Sequence, residues 1–171
     1  SMKFSSTALL LFLLFFSCKS QVNSDSSILQ ENSNSLAVVD SSNIFSISEN
    51  YDLANKLVQY AEKTTRQIVV VTVDSIFPYD DIRKYAGDLR NYWGIVQKDV
   101  DNGLVLVLST SLKKVAISTG YGTKKILTDS ICKKVIDSVM VPAFKKGNYY
   151  IGVDNGVDSL IEIWNTKKTF D

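Results

Sequence analysis

The chain has 171 residues and a formal net charge of +1, because 19 Lys and Arg nearly balance 18 Asp and Glu. This balance excludes the strong basic excess that attracts nucleic acid, so we expect no nucleic-acid partner. The sequence contains no histidine. Imidazole bases, Ser-His-Asp and Cys-His nucleophile systems and His-ligated zinc sites are therefore excluded.

Residues 1–17 have the pattern of a secretory signal peptide. A lysine precedes an apolar run from Ala8 to Phe16, and Ser17-Cys18 follows it. The run is too short to cross a bilayer of about 30 Å as a helix. Its Phe-Phe-Ser-Cys ending resembles the lipobox of bacterial lipoproteins, which implies cleavage before Cys18, lipid on its thiol and a membrane-anchored protein of the cell envelope. The alternative is a plain secretory signal with an incidental cysteine.

The segment 18–43 is rich in serine and asparagine and is predicted to be a flexible tether that starts at the lipidated cysteine. We expect the globular domain at residues 44–165, followed by a short tail at 166–171. That length suits one domain with one hydrophobic core.

Hydrophobic spacing predicts the elements of this domain in chain order. A first helix has Ser48 as its N-cap, and the β-branched run Gln67–Asp74 is typical of a strand buried on both faces. A helix over Asp80–Trp93 ends at Gly94. The remaining predicted elements are strands at Leu104–Leu108 and Lys114–Thr119, a helix over Ser130–Val141 stopped by Pro142, and a last helix over Tyr149–Asn165.

The connections between these elements predict the topology. A strand, a helix and a strand at this spacing form a βαβ unit, so the first two strands should be parallel. The short link to the third strand implies an antiparallel hairpin. The predicted fold class is therefore α/β, with a small mixed sheet flanked by about four helices.

Two glycine-bearing loops should meet at one edge of this sheet. In a hairpin the start of the first strand lies beside the end of the second, so the loop at 99–103 should face the loop at 120–122. The next helix starts nearby. The candidate metal ligands are Asp99, Asp101, Asn102, Gly120 and Asp129. Because all of them offer oxygen atoms, the expected ion is Ca²⁺ or Mg²⁺.

Each of these motifs also has a structural interpretation. Asp-Asn-Gly forms turns very often, and Thr128 or Asp129 would serve as a helix N-cap. An EF-hand is excluded, since the twelfth residue counted from Asp99 is Thr110 rather than glutamate. Asp74 is placed outside the site, because parallel strands put it at the opposite end of the sheet.

The order of these motifs resembles the TPM domain family over roughly residues 43–164. The segments that carry the resemblance are Gln67–Asp74, Tyr85-Ala86, Trp93-Gly94-Ile95, Asp101-Asn102-Gly103-Leu104, Gly120-Tyr121-Gly122, Leu127-Thr128-Asp129, Pro142-Ala143-Phe144 and Gly147-Asn148-Tyr149-Tyr150. The resemblance implies a three-layer α/β/α sandwich and a divalent-cation site in the loops bearing Asp101 and Asp129. Phosphatase activity is attributed to plant members, whereas most bacterial members have no established activity. The chain departs from the family pattern at Val96, where members usually have glycine, and at Lys98-Asp99-Val100, a segment that includes the candidate ligand Asp99.

Two functions fit this sequence. The first is a lipid-anchored, Ca²⁺- or Mg²⁺-binding module that acts on an envelope protein partner. The second is a metal-dependent phosphatase that hydrolyses phosphomonoesters, with the metal polarising a phosphoryl oxygen. The first is favoured, because the loops contain no arginine to clamp a phosphate: Arg83 and Arg90 fall on the second helix, and only Arg66 lies near the predicted edge. Cys132 has apolar neighbours at helical spacing and is interpreted as a buried hydrophobe.

Overall fold

The structure is a computed structural model that describes residues 29–95 and 101–166. Four strands form one sheet in the order β1 (Val38–Asp40), β2 (Gln67–Thr72), β3 (Gly103–Ser109) and β4 (Lys114–Thr119). Strand β2 is parallel to both β1 and β3, whereas β4 is antiparallel to β3. The predicted βαβ unit and the predicted hairpin are therefore confirmed.

Helices connect and cover these strands. They are α1 (Ile47–Thr64), α2 (Ile82–Tyr92), α3 (Tyr121–Lys124), α4 (Asp129–Val135), α5 (Val141–Phe144) and α6 (Tyr149–Thr166). Helix α1 starts at a capping box formed by Ser46 and Glu49, two residues before the predicted cap. Helix α2 ends as predicted, with Gly94 in the left-handed region at φ 62°. None of the helices in the described residues is long and apolar enough to cross a membrane.

The helices form one layer on each face of the sheet. Successive side chains of a strand point to opposite faces, so a strand that is apolar throughout contributes to two cores. One core joins α1, α4 and α6 to Ile68, Val70, Leu104 and Leu106. The other joins α2 to Val69, Val71, Val105 and Val107. The α/β fold with three layers is therefore confirmed.

Strand β1 lies inside the segment 18–43, which is predicted from its composition to be a tether. Val38 is buried and pairs with Val70 of β2. The carboxylate of Asp40 then accepts hydrogen bonds from the amides of Ile44 at 3.2 Å and Phe45 at 2.9 Å. The three residues of β1 are too few to show the alternation of apolar and polar residues that predicts a strand. They form a strand here because they pair with the edge of β2. The folded unit therefore includes residues that precede the predicted boundary.

The helix that starts at Asp129 does not stop at Pro142, contrary to the prediction. A π-type turn over Ile136–Met140 joins α4 to α5, and in it the Val141 amide donates to the Ile136 carbonyl. Pro142 then occupies the first turn of α5. Proline has no amide hydrogen to donate, and the π-type turn directly before Pro142 changes the hydrogen-bond pattern where that donor is missing.

Candidate functional site

The start of β3 and the end of β4 form one edge of the sheet, called the Asp101 edge and defined by Asp101, Asn102 and Gly120. The strand register places Leu104 opposite Thr119, so the loop before β3 lies beside the loop after β4, as predicted. Asn102 is fixed through its carbonyl, which accepts a hydrogen bond from the Gln67 amide at 2.9 Å. The fourth loop candidate, Asp99, lies outside the described residues.

Asp101 links the start of β3 to the short helix α3. Its backbone has a φ of 44°, a conformation that residues other than glycine seldom adopt. Its carboxylate accepts a hydrogen bond from the Tyr121 amide and lies 3.4 Å from Nη1 of Arg90. Its carbonyl accepts from both the amide and the hydroxyl of Thr123, at 3.2 and 3.1 Å. The side chain of Asp101 is 23% exposed, so it is partly accessible to solvent.

Gly120 allows this close approach of the two loops. Its amide donates to the Gly103 carbonyl at 2.9 Å. A Cβ atom at this position would overlap the carboxylate of Asp101 and lie 2.7 Å from its backbone oxygen. A residue with a side chain therefore cannot take the place of Gly120 without displacing the carboxylate.

Asp129 lies in the first turn of α4, and its side chain is 78% exposed. Its carboxylate pairs with Nζ of Lys124 at 2.9 Å. Thr128 is the N-cap, since its hydroxyl oxygen accepts a hydrogen bond from the Ile131 amide at 3.3 Å. The Asp129 carboxylate is thus not needed as a cap, and it complements the helix dipole from a solvated position.

Arg90 contacts the Asp101 edge, although the sequence analysis sets it aside as a residue of the second helix. Its Nε donates to Ser118 Oγ at 3.2 Å, and its side chain is only 15% exposed. The sequence does contain the signal for this position. In a βαβ unit the helix runs back to the edge where the second strand starts, and Arg90 lies in the last turn of α2.

Arg66, which the sequence places near this edge, makes its contacts with α6. Its guanidinium lies 5.2 Å from the ring centre of Trp164 and donates to the Trp164 carbonyl at 2.8 Å. Its role is to join the end of α1 to the end of α6.

The donor chemistry of the Asp101 edge fits a hard cation, because the carboxylates of Asp101 and Asp129 and the amide of Asn102 offer oxygen ligands. The carbonyls of Asp101, Asn102 and Gly103 are already hydrogen-bonded within the fold. Residues 29–95 and 101–166 contain no group of three His, Cys, Asp or Glu side chains arranged to hold a metal ion. A cation would therefore compete with Arg90 and Lys124 for the two carboxylates, and cation binding stays a prediction.

Cys132 is buried on α4, with its sulfur 3.7 Å from the Leu127 carbonyl. Burial, reinforced by the nearby carboxylate of Asp129, raises the pKa of the Cys132 thiol to about 11. A thiol with this pKa is neutral at physiological pH and is a poor nucleophile. The structure agrees with its interpretation as a small buried hydrophobe.

Family assignment follows from comparison with known proteins. The family model of the TPM domain matches residues 38–163, from the first residue of β1 into the last turn of α6. The chain belongs to the TPM domain family. The family match thus includes β1, in agreement with the structure and not with the predicted tether.

Solved structures share this TPM fold. The N-terminal domain of a P. gingivalis protein is 27% identical with a TM-score of 0.71, over 78% of this chain and 85% of that domain. The BA42 protein of the psychrophilic bacterium Bizionia argentinensis is 16% identical with a TM-score of 0.62, over 71% and 82%. The N-terminal domain of a Corynebacterium glutamicum protein is 13% identical with a TM-score of 0.58, over 83% and 86%. At such identities the last two show the fold alone. No curated protein matches the chain.

Proposed function

We propose that this TPM domain is a divalent-cation-binding accessory module of the bacterial envelope. In this proposal Ca²⁺ or Mg²⁺ is bound by Asp101, with Asn102, Asp129 and the loops that carry Asp99 and Gly120 as the further ligands. The bound ion would form part of the surface that this edge of the sheet presents to an envelope protein partner.

The observation that carries the proposal is the state of the Asp101 carboxylate. It is partly exposed, it is oriented by the Tyr121 amide, and its contact with Arg90 is 3.4 Å long. Strong charge-assisted hydrogen bonds between nitrogen and oxygen are roughly 2.7–2.9 Å long. The pairing of Asp101 with Arg90 is therefore loose. A dication could bind the oriented carboxylate of Asp101, because only this weak contact would have to be broken.

Calorimetric titration of the full chain with Ca²⁺ and then Mg²⁺ tests this proposal. The full chain is needed because a fragment starting at residue 43 would lack β1. Asp101→Asn keeps the hydrogen-bond acceptor for the Tyr121 amide but removes the charge, so we expect it to weaken binding by about tenfold or more.

The matched control for Asp129→Asn is Asp137→Asn. Asp137 is also exposed and also pairs with a lysine, Lys133, but it lies after the end of α4, whereas Asp129 lies in the first turn of that helix. Asp129→Asn should weaken cation binding, and Asp137→Asn should leave it unchanged. The proposal fails if the wild-type chain does not bind either ion at millimolar concentration, or if the two variants behave alike.

Competition between Lys124 and the cation for the Asp129 carboxylate predicts a variant with higher cation affinity. Lys124 forms an ion pair with the Asp129 carboxylate, although both side chains are more than half exposed. Lys124→Met should therefore strengthen cation binding, by roughly twofold to fivefold, since exposed pairs are worth about 1 kcal/mol or less. Weaker cation binding in Lys124→Met, measured in the same titration, would contradict the competition.

We also propose that Cys18, which lies outside the described residues, carries the lipid anchor. The support is its position after a short apolar run. Labelling of cells with a fatty-acid analogue should mark the wild-type protein but not Cys18→Ser. Cys132 is a suitable control, because its buried thiol is inaccessible to modification, and Cys132→Ala should be labelled normally.

A metal-dependent phosphatase is the second candidate, favoured by Arg90. Its guanidinium lies beside Asp101, where the sequence analysis expects no phosphate-clamping arginine. The test is hydrolysis of 4-nitrophenyl phosphate with and without added Mg²⁺. Turnover that requires metal and is lost in Arg90→Lys, but kept in Arg66→Lys, would support the phosphatase; turnover unaffected by these changes would reject it.

A further inference from the structure

A pocket of about 600 Å³ lies at the end of the sheet opposite the Asp101 edge. It is bounded by the turn of the β3–β4 hairpin on one side and by α5 and the start of α6 on the other, and we call it the hairpin pocket. The six residue steps of β3 from Gly103 to Ser109 separate the two sites by roughly 20 Å. The hairpin pocket is therefore independent of the cation site proposed above.

The wall of the hairpin pocket is mainly apolar. Val115 of β4 and Val141 of α5 line it together with two aromatic rings. The rings of Phe144 and Tyr149 lie 5.6 Å apart between centroids at an angle of 37°. These side chains are all partly exposed, so they offer contact area to a bound apolar group.

The charged residues that line the pocket all have one sign. They are Lys113 and Lys114 from the hairpin and Lys145 from the end of α5. No carboxylate of the described residues lies within ion-pairing distance of these three lysines, whereas six other lysines and arginines form ion pairs. Strand alternation puts Lys114 on the α2 face with Ala116, towards Asp81 at the start of α2, so the cationic side chains of the rim are those of Lys113 and Lys145. The pocket thus combines apolar walls with a cationic rim.

The backbone of the hairpin turn adds a second observation. Lys113 has a φ of 53°, a left-handed conformation in which glycine or asparagine is the usual residue. A lysine at this position adds strain to the turn, and it places a cation at the mouth of the pocket. Strain of this kind is concentrated at functional sites.

We propose that the hairpin pocket binds a small amphipathic anion, with an apolar chain or ring against Val141 and Phe144 and a carboxylate at the lysines. A volume near 600 Å³ lies within the range of roughly 300–1,000 Å³ that is typical of small-molecule sites. A neutral apolar ligand would leave the cationic rim without a partner, and an inorganic anion would leave the apolar wall exposed.

The test is titration of the full ¹⁵N-labelled chain with octanoate and with octan-1-ol, followed by amide chemical shifts. The two ligands share the apolar chain and differ in charge. Octanoate should give saturable shifts in the hairpin turn and in the segment that joins α5 to α6. The affinity for octanol should be lower by a factor of about ten or more.

Two charge-reversed double variants complete the test. Lys113→Glu with Lys145→Glu should weaken octanoate binding by about tenfold or more. The control is a double variant with Lys63→Glu and Lys134→Glu, which changes the net charge by the same amount at exposed sites away from the pocket. It should leave octanoate binding unchanged. The proposal is overturned if octanol binds as well as octanoate, if the shifts map elsewhere, or if the chain binds only anionic vesicles and not monomeric octanoate.

Discussion

The two ends of the sheet differ in whether their charged side chains have partners of opposite charge. At the Asp101 edge each described carboxylate has a cationic partner, and the loop carbonyls are all hydrogen-bonded. At the hairpin pocket Lys113 and Lys145 have no ion-pair partner among the described residues and border an apolar wall. The hydrogen bonds of the loop carbonyls hold the backbone of the first end in place, whereas cations without ion-pair partners beside a pocket leave the second end open to an anionic ligand.

The largest difference should come from one glycine at each end. A Cβ at Gly120 would overlap Asp101, whereas a Cβ at Gly147 meets nothing within 4 Å, although the φ of Gly147 is 78°. Gly120→Ala should therefore lower the free energy of unfolding by about 3 kcal/mol through steric displacement. Gly147→Ala should cost about 1 kcal/mol through its backbone conformation alone. Urea denaturation measures both, and equal losses would contradict the contrast in packing.

Alkaline pH should weaken the fold near the Asp101 edge through Cys132. The folded thiol has a pKa of about 11, above its ordinary value of 9.0, so the unfolded chain loses this proton first. The stabilisation is complete below pH 9 and is lost as pH rises towards 11, by up to about 2–3 kcal/mol.

Cys132→Ala isolates that contribution, because lysines and tyrosines titrate in both proteins. The difference in unfolding free energy between wild type and variant should fall by this amount between neutral pH and pH 11. A difference that does not depend on pH would show that the thiol is not buried as described.

The two ion pairs at or near the Asp101 edge should differ in strength. The side chains of Arg90 and Asp101 are 15% and 23% exposed, while those of Lys124 and Asp129 are 55% and 78% exposed. Arg90→Met leaves the partly buried carboxylate of Asp101 without its cation and should cost about 1–2 kcal/mol. Lys124→Met should change stability by about 0.5 kcal/mol or less. Chemical denaturation of both variants at low and high salt would reveal the order.

The smallest effect should be a gain in stability at the hairpin pocket. Lys113→Gly removes the penalty of a left-handed lysine and should stabilise the fold by about 0.5 kcal/mol. The same change removes one cation from the rim, so it should weaken octanoate binding. A variant that is more stable and still binds octanoate as well as wild type would separate the strain from the binding function.

Much of the fold could be predicted because β2 and β3 are apolar on both faces and α2 has its apolar residues at helical spacing. Such patterns are local, and they already require a sheet covered by helices on two sides. The meeting of the loops before β3 and after β4 also followed from the short hairpin. The cation site predicted there stays a prediction, since the structure brings Asp101 and Gly120 together but pairs Asp101 and Asp129 with different cations.

The sequence by itself determined the α/β class, the order of the central elements, the neutrality that argues against nucleic acid and the lack of histidine chemistry. These properties depend on composition and on spacing within single segments. Only the tertiary structure decided that β1 joins the sheet, that Arg90 reaches Asp101, and that Lys113 and Lys145 border one apolar pocket. Each of these depends on side chains or strands brought together from distant parts of the chain, and such contacts are set by packing rather than by the local pattern.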